Sequence, residues 1–225
     1  MNTNPYRDSS GRTLADYPRP SVAVDTAVLT LDEQVGLVVL EVRRTNGAGW
    51  GLPGTFLHEG ETLADAVRRS LDVKAGVSGL NPRQLHVFDA PDRDERGWVL
   101  SVGHVDVVRP ERVESRNPST TRLMPVGRPG RLPYDHADII DRAVRYLRPR
   151  YSDRPDPDGL LGDEFTILQL RLAHERIMGR PVQRDWFRRT MEPQLEPTGV
   201  MATVTRGRPA ELFRRRGAAG ADTRG

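Results

Sequence analysis

Cysteine is absent from this sequence of 225 residues, and Lys74 is its only lysine. A chain without cysteine has no disulfide framework, no thiolate metal site and no thiol nucleophile. No apolar run approaches the roughly 18 to 20 residues of a membrane span, and the polar N-terminus lacks the apolar segment of a signal peptide. We therefore expect a cytoplasmic protein that is neither exported nor inserted into a membrane.

Basic charge is concentrated towards the C-terminus. The whole chain has a net charge of only +3, although its pI is about 9.7. Residues 171–216 contain 11 arginines and 5 acidic residues, so the rest of the chain is net acidic. This asymmetry is typical of a nucleic-acid-binding module joined to another domain.

The first part of the chain predicts a mixed α+β domain. The runs SVAVDTAVLTL and VGLVVLEVRR are rich in β-branched residues and predict two strands joined by a hairpin turn. A helix is predicted between Thr62 as N-cap and Gly76 as C-cap. Two further strands are predicted in QLHVFDA and GWVLSVGHVDVV, and HADIIDRAVRYL predicts a closing helix.

The remainder predicts a second, smaller domain. The segment RPRYSDRPDPDG is dense in proline, aspartate and glycine, which is typical of a linker. After it come a helix with Thr166 as N-cap, a second helix in QRDWFRRTMEPQL and two short strands around an Arg-Gly-Arg-Pro tip. Helix, turn, helix and hairpin is the element order of a winged helix-turn-helix.

The stretch LPGTFLHEGETLADAVRRSLDVKAGV resembles the Nudix signature. Residues at seven signature positions match: Gly54, Gly60, Glu61, Arg69, Leu71, Gly76 and Val77. Ser70, Val73 and Lys74, however, stand where the family has its three metal-handling glutamates. The resemblance implies an α/β/α sandwich with a mixed sheet and a ligand that contains a diphosphate.

The replaced glutamates determine what such a site can do. Hydrolysis of a pyrophosphate near neutral pH generally needs Mg²⁺, which is held by carboxylate and water oxygens. Residues 69, 70, 73 and 74 are expected on one helical stripe, and the valine and lysine in it cannot ligate a metal. The Lys74 ammonium can instead meet the phosphates directly. We therefore predict a domain that binds a nucleotide diphosphate without cleaving it, with no catalytic residue, metal or cofactor.

A second stretch indicates the ligand. FDAPDRDERGWVLSV resembles the loop and strand of the ADP-ribose pyrophosphatase branch of Nudix proteins and their regulatory relatives, which implies ADP-ribose or a related adenine nucleotide as the effector. Without the resemblance, Arg69 would be read as a structural salt-bridge partner, Lys74 as solvated and the PDRDERG loop as a plain turn. The predicted ligand-binding residues are Arg43, Glu61, Arg69, Lys74, Arg93, Asp94 and Arg96.

The basic second domain resembles the C-terminal domain of the Nudix-related transcriptional regulators of NAD metabolism, the NrtR family. The matching pieces are the Phe-Thr opening, the Gly-Arg-Pro turn, the Trp-Phe-Arg-Arg run and the late Gly-Arg-Pro-Ala. Its second helix has a polar side suited to a major groove, while Phe187, Met191 and Trp186 are assigned to packing. The predicted DNA-binding residues are Arg184, Arg188 and Arg189 on this helix, and Arg206 and Arg208 at the wing tip.

Together these features predict a cytoplasmic, homodimeric repressor of NAD biosynthesis or salvage genes, which binds a double-stranded DNA operator under ligand control. The predicted boundaries are a flexible N-terminus at 1–20, a Nudix-like ligand-sensing domain at 21–149, a linker at 150–162, a winged helix-turn-helix at 163–216 and a disordered tail at 217–225.

Two alternatives stay open. The first is a Nudix hydrolase of ADP-ribose-type substrates, with metal held by Glu59, Glu61, Asp65 or Asp72. The second is an RNA-binding or scaffolding protein. The RNA reading is less favoured because the basic part lacks interleaved aromatic residues on which single-stranded bases stack.

Overall fold

The computed structural model describes residues 6–45, 49–202 and 209–216. The first domain contains two α-helices, α1 (Leu63–Ser70) and α2 (His136–Leu147). Its strands are β1 (Ser21–Asp32), β2 (Gly36–Arg43), β3 (Trp50–Gly51), β4 (Gly54–Phe56), β5 (Arg83–Phe88), β6 (Val99–Val107) and β7 (Thr121–Pro125). The sequence did not predict β7, and the Gly-rich stretch read as a loop or bulged strand forms β3 and β4.

These strands form one mixed sheet with the order β3-β2-β1-β6-β5, in which β4 also pairs with β1 and β7 with β2. Strands β1 and β6 are parallel, and the other pairs are antiparallel. Leu29 of β1 packs in a core with α2, whereas Val28 packs in a core with α1. The central strand is therefore covered on both faces, which explains its nearly continuous apolar run. The predicted α/β/α sandwich is confirmed.

The motif helix begins and ends at the predicted residues. The Thr62 hydroxyl accepts a hydrogen bond from the Asp65 N–H, and the Asp65 carboxylate accepts one from the Thr62 N–H, which forms a capping box. Gly76 ends the helix with φ = 67°, a conformation that favours glycine. Between these caps, α1 passes into a π-helical turn at Leu71–Ala75, which the sequence did not predict.

The second domain is a winged helix, as predicted. Its elements are β8 (Phe165–Thr166), α3 (Ile167–Met178), α4 (Arg184–Met191), β9 (Leu195–Ala202) and β10 (Ala210–Arg215). The three strands form a sheet with the order β8-β10-β9. Phe165, Leu170, Phe187, Met191, Leu195 and Phe213 form its core. Arg206, Arg208 and the tail 217–225 lie outside the described residues.

The segment predicted to be a linker is packed against both domains. Tyr151 and Leu160 belong to the core that α2 forms with the sheet, and Asp156 is fully buried. Two residues of α3, Ala173 and Ile177, lie in that same core. Helix α3 therefore packs against the first domain as well as against the rest of the second domain. The polar composition of the segment 150–162 predicts a linker because it gives no sign that its few apolar residues are buried.

The described part of the N-terminus, residues 6–20, is mostly exposed and contains a 3-10 turn at Leu14–Asp16. Among the residues that the structure describes, no helix is both long and apolar enough to cross a membrane.

Candidate functional site

A cavity of about 380 Å³ opens beside β1 and β4 in the first domain. This volume lies within the range of small-molecule sites. The cavity wall includes five of the seven residues predicted to bind ligand: Arg43, Lys74, Arg93, Asp94 and Arg96. The other two, Glu61 and Arg69, do not line it.

Lys74 extends from the π-helical turn into this cavity. Its side chain is largely exposed, but the ammonium donates a hydrogen bond to the Gly54 carbonyl, 2.5 Å away. Partial burial of the ammonium lowers its pKa, an effect that the Asp25 carboxylate opposes and that the Arg69 and Arg96 cations reinforce. A cation is thus fixed at the Gly-rich loop where a Nudix helix would carry acids.

The π-helical turn also separates residues that were expected on one stripe. Ser70 is buried, whereas the Val73 side chain is 77% exposed. Lys74 reaches Gly54, and Arg69 reaches Thr55 and Phe56. The expected stripe of residues 69, 70, 73 and 74 is therefore wrong, because a π turn holds more residues than an α turn and rotates the side chains that follow it.

Asp25 provides a buried carboxylate at the floor of the cavity. The Ser101 hydroxyl donates to Asp25 Oδ2 at 2.5 Å, and His136 Nε2 lies 3.3 Å from Asp25 Oδ1. The Leu52 N–H donates to His136 Nδ1, which assigns the ring proton to Nε2. Burial raises the pKa of Asp25, but the His136 and Ser101 hydrogen bonds outweigh it and the pKa is lowered overall.

Gly54 of the motif is required by this carboxylate. A Cβ atom at residue 54 would lie 1.9 Å from Asp25 Oδ1 and 2.8 Å from the Val24 carbonyl oxygen. The loop can therefore approach β1 only without a side chain at this position. The signature glycine thus places the carbonyl that Lys74 contacts.

The mouth of the cavity is formed by an ordered arginine cluster. Arg93 pairs with Asp135, and Arg96 makes two hydrogen bonds to the Asp94 carboxylate at 2.7 and 2.8 Å. This pairing lowers the pKa of Asp94. The Arg96 guanidinium lies 5.0 Å from the Phe56 ring centroid and 4.8 Å from that of Tyr134. The loop is therefore anchored and is not a plain solvated turn.

Glu61 and Arg69 form a clamp beside the cavity. Arg69 donates two hydrogen bonds of 2.8 Å to Glu61, and others to Thr55 and the Phe56 carbonyl. The Arg69 pair, helped by the His58 N–H, lowers the pKa of Glu61 to about 2. This clamp ties β4 to the start of α1. Among the described residues, no group of three or more histidines, cysteines or acids is arranged to hold a metal ion.

The residues of the cavity wall that sequence reasoning missed include Asp25, His136, Phe56 and Tyr134. One signal was available, since Asp25 is the single charge within the apolar run of β1. Tyr134 has φ = 49°, an uncommon conformation for a non-glycine residue that a sequence does not reveal.

Helix α4 presents a charged face on the second domain. Arg184, Arg188 and Arg189 are exposed, while Phe187 and Met191 are buried as predicted. Arg188 pairs with Glu192, at 2.7 and 3.1 Å. The assignment of Trp186 to packing is wrong, because its side chain is 46% exposed and does not belong to the domain core.

A buried polar joint connects the two domains around Asp156. Its carboxylate accepts hydrogen bonds from the Tyr151 hydroxyl and from Arg215 of β10, at 3.0 and 2.8 Å. The His174 ring of α3 lies between the Tyr151 and Phe187 rings, with centroids 5.0 Å from each. The joint therefore links the end of the first domain to α3, to α4 and to the wing sheet.

His174 makes this joint sensitive to pH. Its Nδ1 lies 3.0 Å from the Tyr151 carbonyl oxygen, its Nε2 accepts from the Asp156 N–H, and burial lowers its pKa from 6.5 to about 4. Below pH 6.5 the unfolded chain therefore binds a proton that the folded chain does not. The free energy of unfolding decreases as the pH is lowered from 6.5 to about 4. From pH 7 to 5 this loss is about 2 kcal/mol.

The change His174→Gln removes this contribution while keeping a neutral group that donates and accepts. Urea unfolding at pH 7 and pH 5 should show the wild type losing about 2 kcal/mol more than the variant. Carboxylates titrate equally in both proteins, so they cancel in the comparison. Equal losses would show that His174 is not held neutral.

Comparison with known proteins supports both domains. The NUDIX domain model matches residues 20–146, and the NrtR DNA-binding winged helix domain model matches residues 159–215. The ADPR responsive transcriptional repressor NtrR of Acinetobacter baylyi is 27% identical over 210 residues, which are 89% of this chain and 84% of that protein. An ADP-ribose pyrophosphatase of Methanocaldococcus jannaschii is 30% identical over 131 residues, which are 58% of this chain and 76% of that one.

A solved structure extends the likeness over both domains. The crystal structure of Shewanella oneidensis NrtR complexed with a 27mer DNA matches with a TM-score of 0.73 and 31% identity. The match covers 87% of this chain and 93% of that chain. Since both family models occur here in order along one chain, this chain belongs to the NrtR family, with a Nudix domain followed by a DNA-binding winged helix domain.

Proposed function

We propose that this protein is a cytoplasmic transcriptional repressor that binds its DNA operator as a homodimer and is controlled by ADP-ribose or a related adenine nucleotide. Genes of NAD biosynthesis or salvage are its proposed targets. The observation that carries this proposal is the combination, in one chain, of a cavity with a fixed lysine and a winged helix with an exposed arginine face.

The cavity suits a diphosphate that is held and not cleaved. The Lys74 ammonium already lies at the Gly54 carbonyl, where it can pair with a phosphate oxygen as a charge-assisted hydrogen bond. Arg43 and Arg96 add positive charge to the wall. The carboxylate of Asp25, at the floor, can accept a hydrogen bond from a ligand hydroxyl. We infer that these groups recognise ADP-ribose without activating water.

The path from cavity to DNA runs through α2 and α3. His136, which binds Asp25 at the cavity floor, is the first residue of α2, and the 3-10 turn after α2 ends at Tyr151 in the joint. A ligand that moves α2 would thereby shift α3 and α4. If ADP-ribose binds better to a state that misplaces the two α4 helices of a dimer, it weakens DNA binding by the same factor.

The hydrolase is the second candidate, favoured by the 30% identity to an ADP-ribose pyrophosphatase. Its metal would need the acids near α1. Two of these acids already have partners. Glu61 pairs with Arg69, and Asp65 pairs with Arg68 and accepts a hydrogen bond from the Thr62 N–H. Turnover would require breaking these contacts, whereas ligand binding at Lys74 does not.

Both candidates can be tested in the same tubes. Purified protein is mixed with duplexes from upstream of the host's NAD biosynthesis genes, at fixed salt, with Mg²⁺ and with or without ADP-ribose. We expect a gel shift that a scrambled duplex and single-stranded RNA do not compete, that ADP-ribose relieves, and that occurs without AMP release. AMP release without a shift would identify a hydrolase and overturn the repressor.

A further inference from the structure

Trp186 is an exposed indole on the helix that carries the arginines. Its side chain is 46% exposed, whereas tryptophan is highly buried on average in folded proteins. Trp186 lies in the first turn of α4, where its backbone N–H donates a hydrogen bond to the side-chain oxygen of Gln183, the N-cap residue. In a helix-turn-helix, the N-terminal residues of the second helix are those that contact base edges.

The position of the indole is fixed by its neighbours in the helix. Phe187 and Met191 are 1% and 0% exposed, and they anchor the inner side of α4 in the core. Because successive helical residues are about 100° apart, Trp186 lies on the flank of the outward face, next to Arg189 one turn later. The indole and a guanidinium thus share the surface that would enter a groove.

Resting on the proposed function, we propose that Trp186 is a specificity-determining residue of the DNA interface and that its indole packs against thymine methyl groups in the major groove. The major-groove edge of thymine presents a 5-methyl group, which apolar side chains contact. Arginine at phosphates gives affinity without sequence information. An apolar ring beside Arg189 supplies a contact that depends on the base.

The test compares the full-length wild type with Trp186→Ala on an operator that contains thymine and on the same operator with deoxyuridine in its place. Loss of methyl contacts should weaken wild-type binding by about fourfold for each methyl. Trp186→Ala should weaken binding to the thymine operator by about tenfold, and it should bind both operators equally. Arg189→Ala is the matched control, which should weaken binding to operator and scrambled DNA alike and reduce the salt dependence.

Each other outcome has a defined meaning. If the wild type prefers the operator and Trp186→Ala binds it equally well, the role of Trp186 is wrong and the repressor stands. The same holds if Trp186→Ala still discriminates thymine from deoxyuridine, or if it changes the oligomeric state measured by sedimentation. If the wild type prefers no duplex, the proposed function and this inference fall together. An unchanged midpoint of urea unfolding verifies that Trp186→Ala is folded.

Discussion

Replacing Asp156 by alanine should lower the free energy of unfolding by about 3 to 5 kcal/mol, because it removes one partner of a buried ion pair. The carboxylate is fully buried, and it accepts hydrogen bonds from Tyr151, Arg215 and the N–H groups of Leu160 and Leu161. All these donors would lose their acceptor. Asp156 also has φ = 46°, which aspartate tolerates better than alanine.

The loss should extend to DNA binding. Arg215 belongs to β10 of the wing sheet, and it also donates to the Gly162 carbonyl. Without Asp156, the wing sheet would lose its buried ion pair with the segment that leads from α2. We expect a gel shift with Asp156→Ala only at much higher protein concentration than with the wild type, even where urea unfolding shows the variant to be folded.

Asp163→Ala is the matched control for this change. Asp163 also pairs with an arginine, Arg109 at 3.2 Å, but its side chain is 92% exposed. Exposed pairs contribute little, so this variant should differ from the wild type by about 0.5 kcal/mol or less. A second variant, Asp156→Asn, keeps the side-chain volume and the backbone preference. Its free energy of unfolding should lie between those of Asp156→Ala and Asp163→Ala. If Asp156→Ala unfolds like Asp163→Ala, the joint is not a stabilising element.

Lys74→Gln should weaken ADP-ribose binding by about 10- to 100-fold, the usual value of a hydrogen bond to a charged group. Glutamine keeps a neutral N–H donor on a side chain one atom shorter, while the charge is lost. Isothermal titration in the presence of a chelator measures this affinity without metal. Binding of adenosine, which has no phosphate, should be unchanged.

Two controls separate charge from position. Lys74→Arg keeps the cation and should retain most of the affinity for ADP-ribose. Arg68→Gln removes a cation from the same helix, but Arg68 pairs with Asp65 outside the cavity. The affinity of this variant for ADP-ribose should therefore stay within about twofold of the wild-type value. Unchanged ADP-ribose binding by Lys74→Gln would show that Lys74 does not contact the phosphates, and phosphate recognition would then be assigned to the arginines.

The sequence predicted those features whose causes are local. Thr62 and Gly76 were recognised as the ends of the motif helix because a cap depends on a few neighbouring residues. Phe187 and Met191 were recognised by their spacing. Trp186 was misassigned because its aromatic character was weighed without its position, which is about 100° around the helix from Phe187.

Features that depend on distant residues were not predicted. The buried Asp25 carboxylate depends on its hydrogen-bond partners Ser101 and His136, which lie on β6 and α2 and are distant in sequence. The π turn that turns Val73 outwards is not visible in the spacing of the motif. The composition of the segment 150–162 predicts a linker, whereas its burial depends on the core that α2 forms with the sheet and on Arg215, which pairs with Asp156 from near the other end of the second domain.

The position of α3 limits how such a regulator can be recombined with other sensors. A hybrid that joined this winged helix to a foreign domain at the predicted linker would carry Ala173 and Ile177 without the sheet that covers them here. Both halves of the hybrid could fold and the winged helix could hold its DNA, but the helix that transmits the ligand signal would face a surface that does not fit it. A transplanted sensor therefore has to bring its own α2 and the matching face of α3.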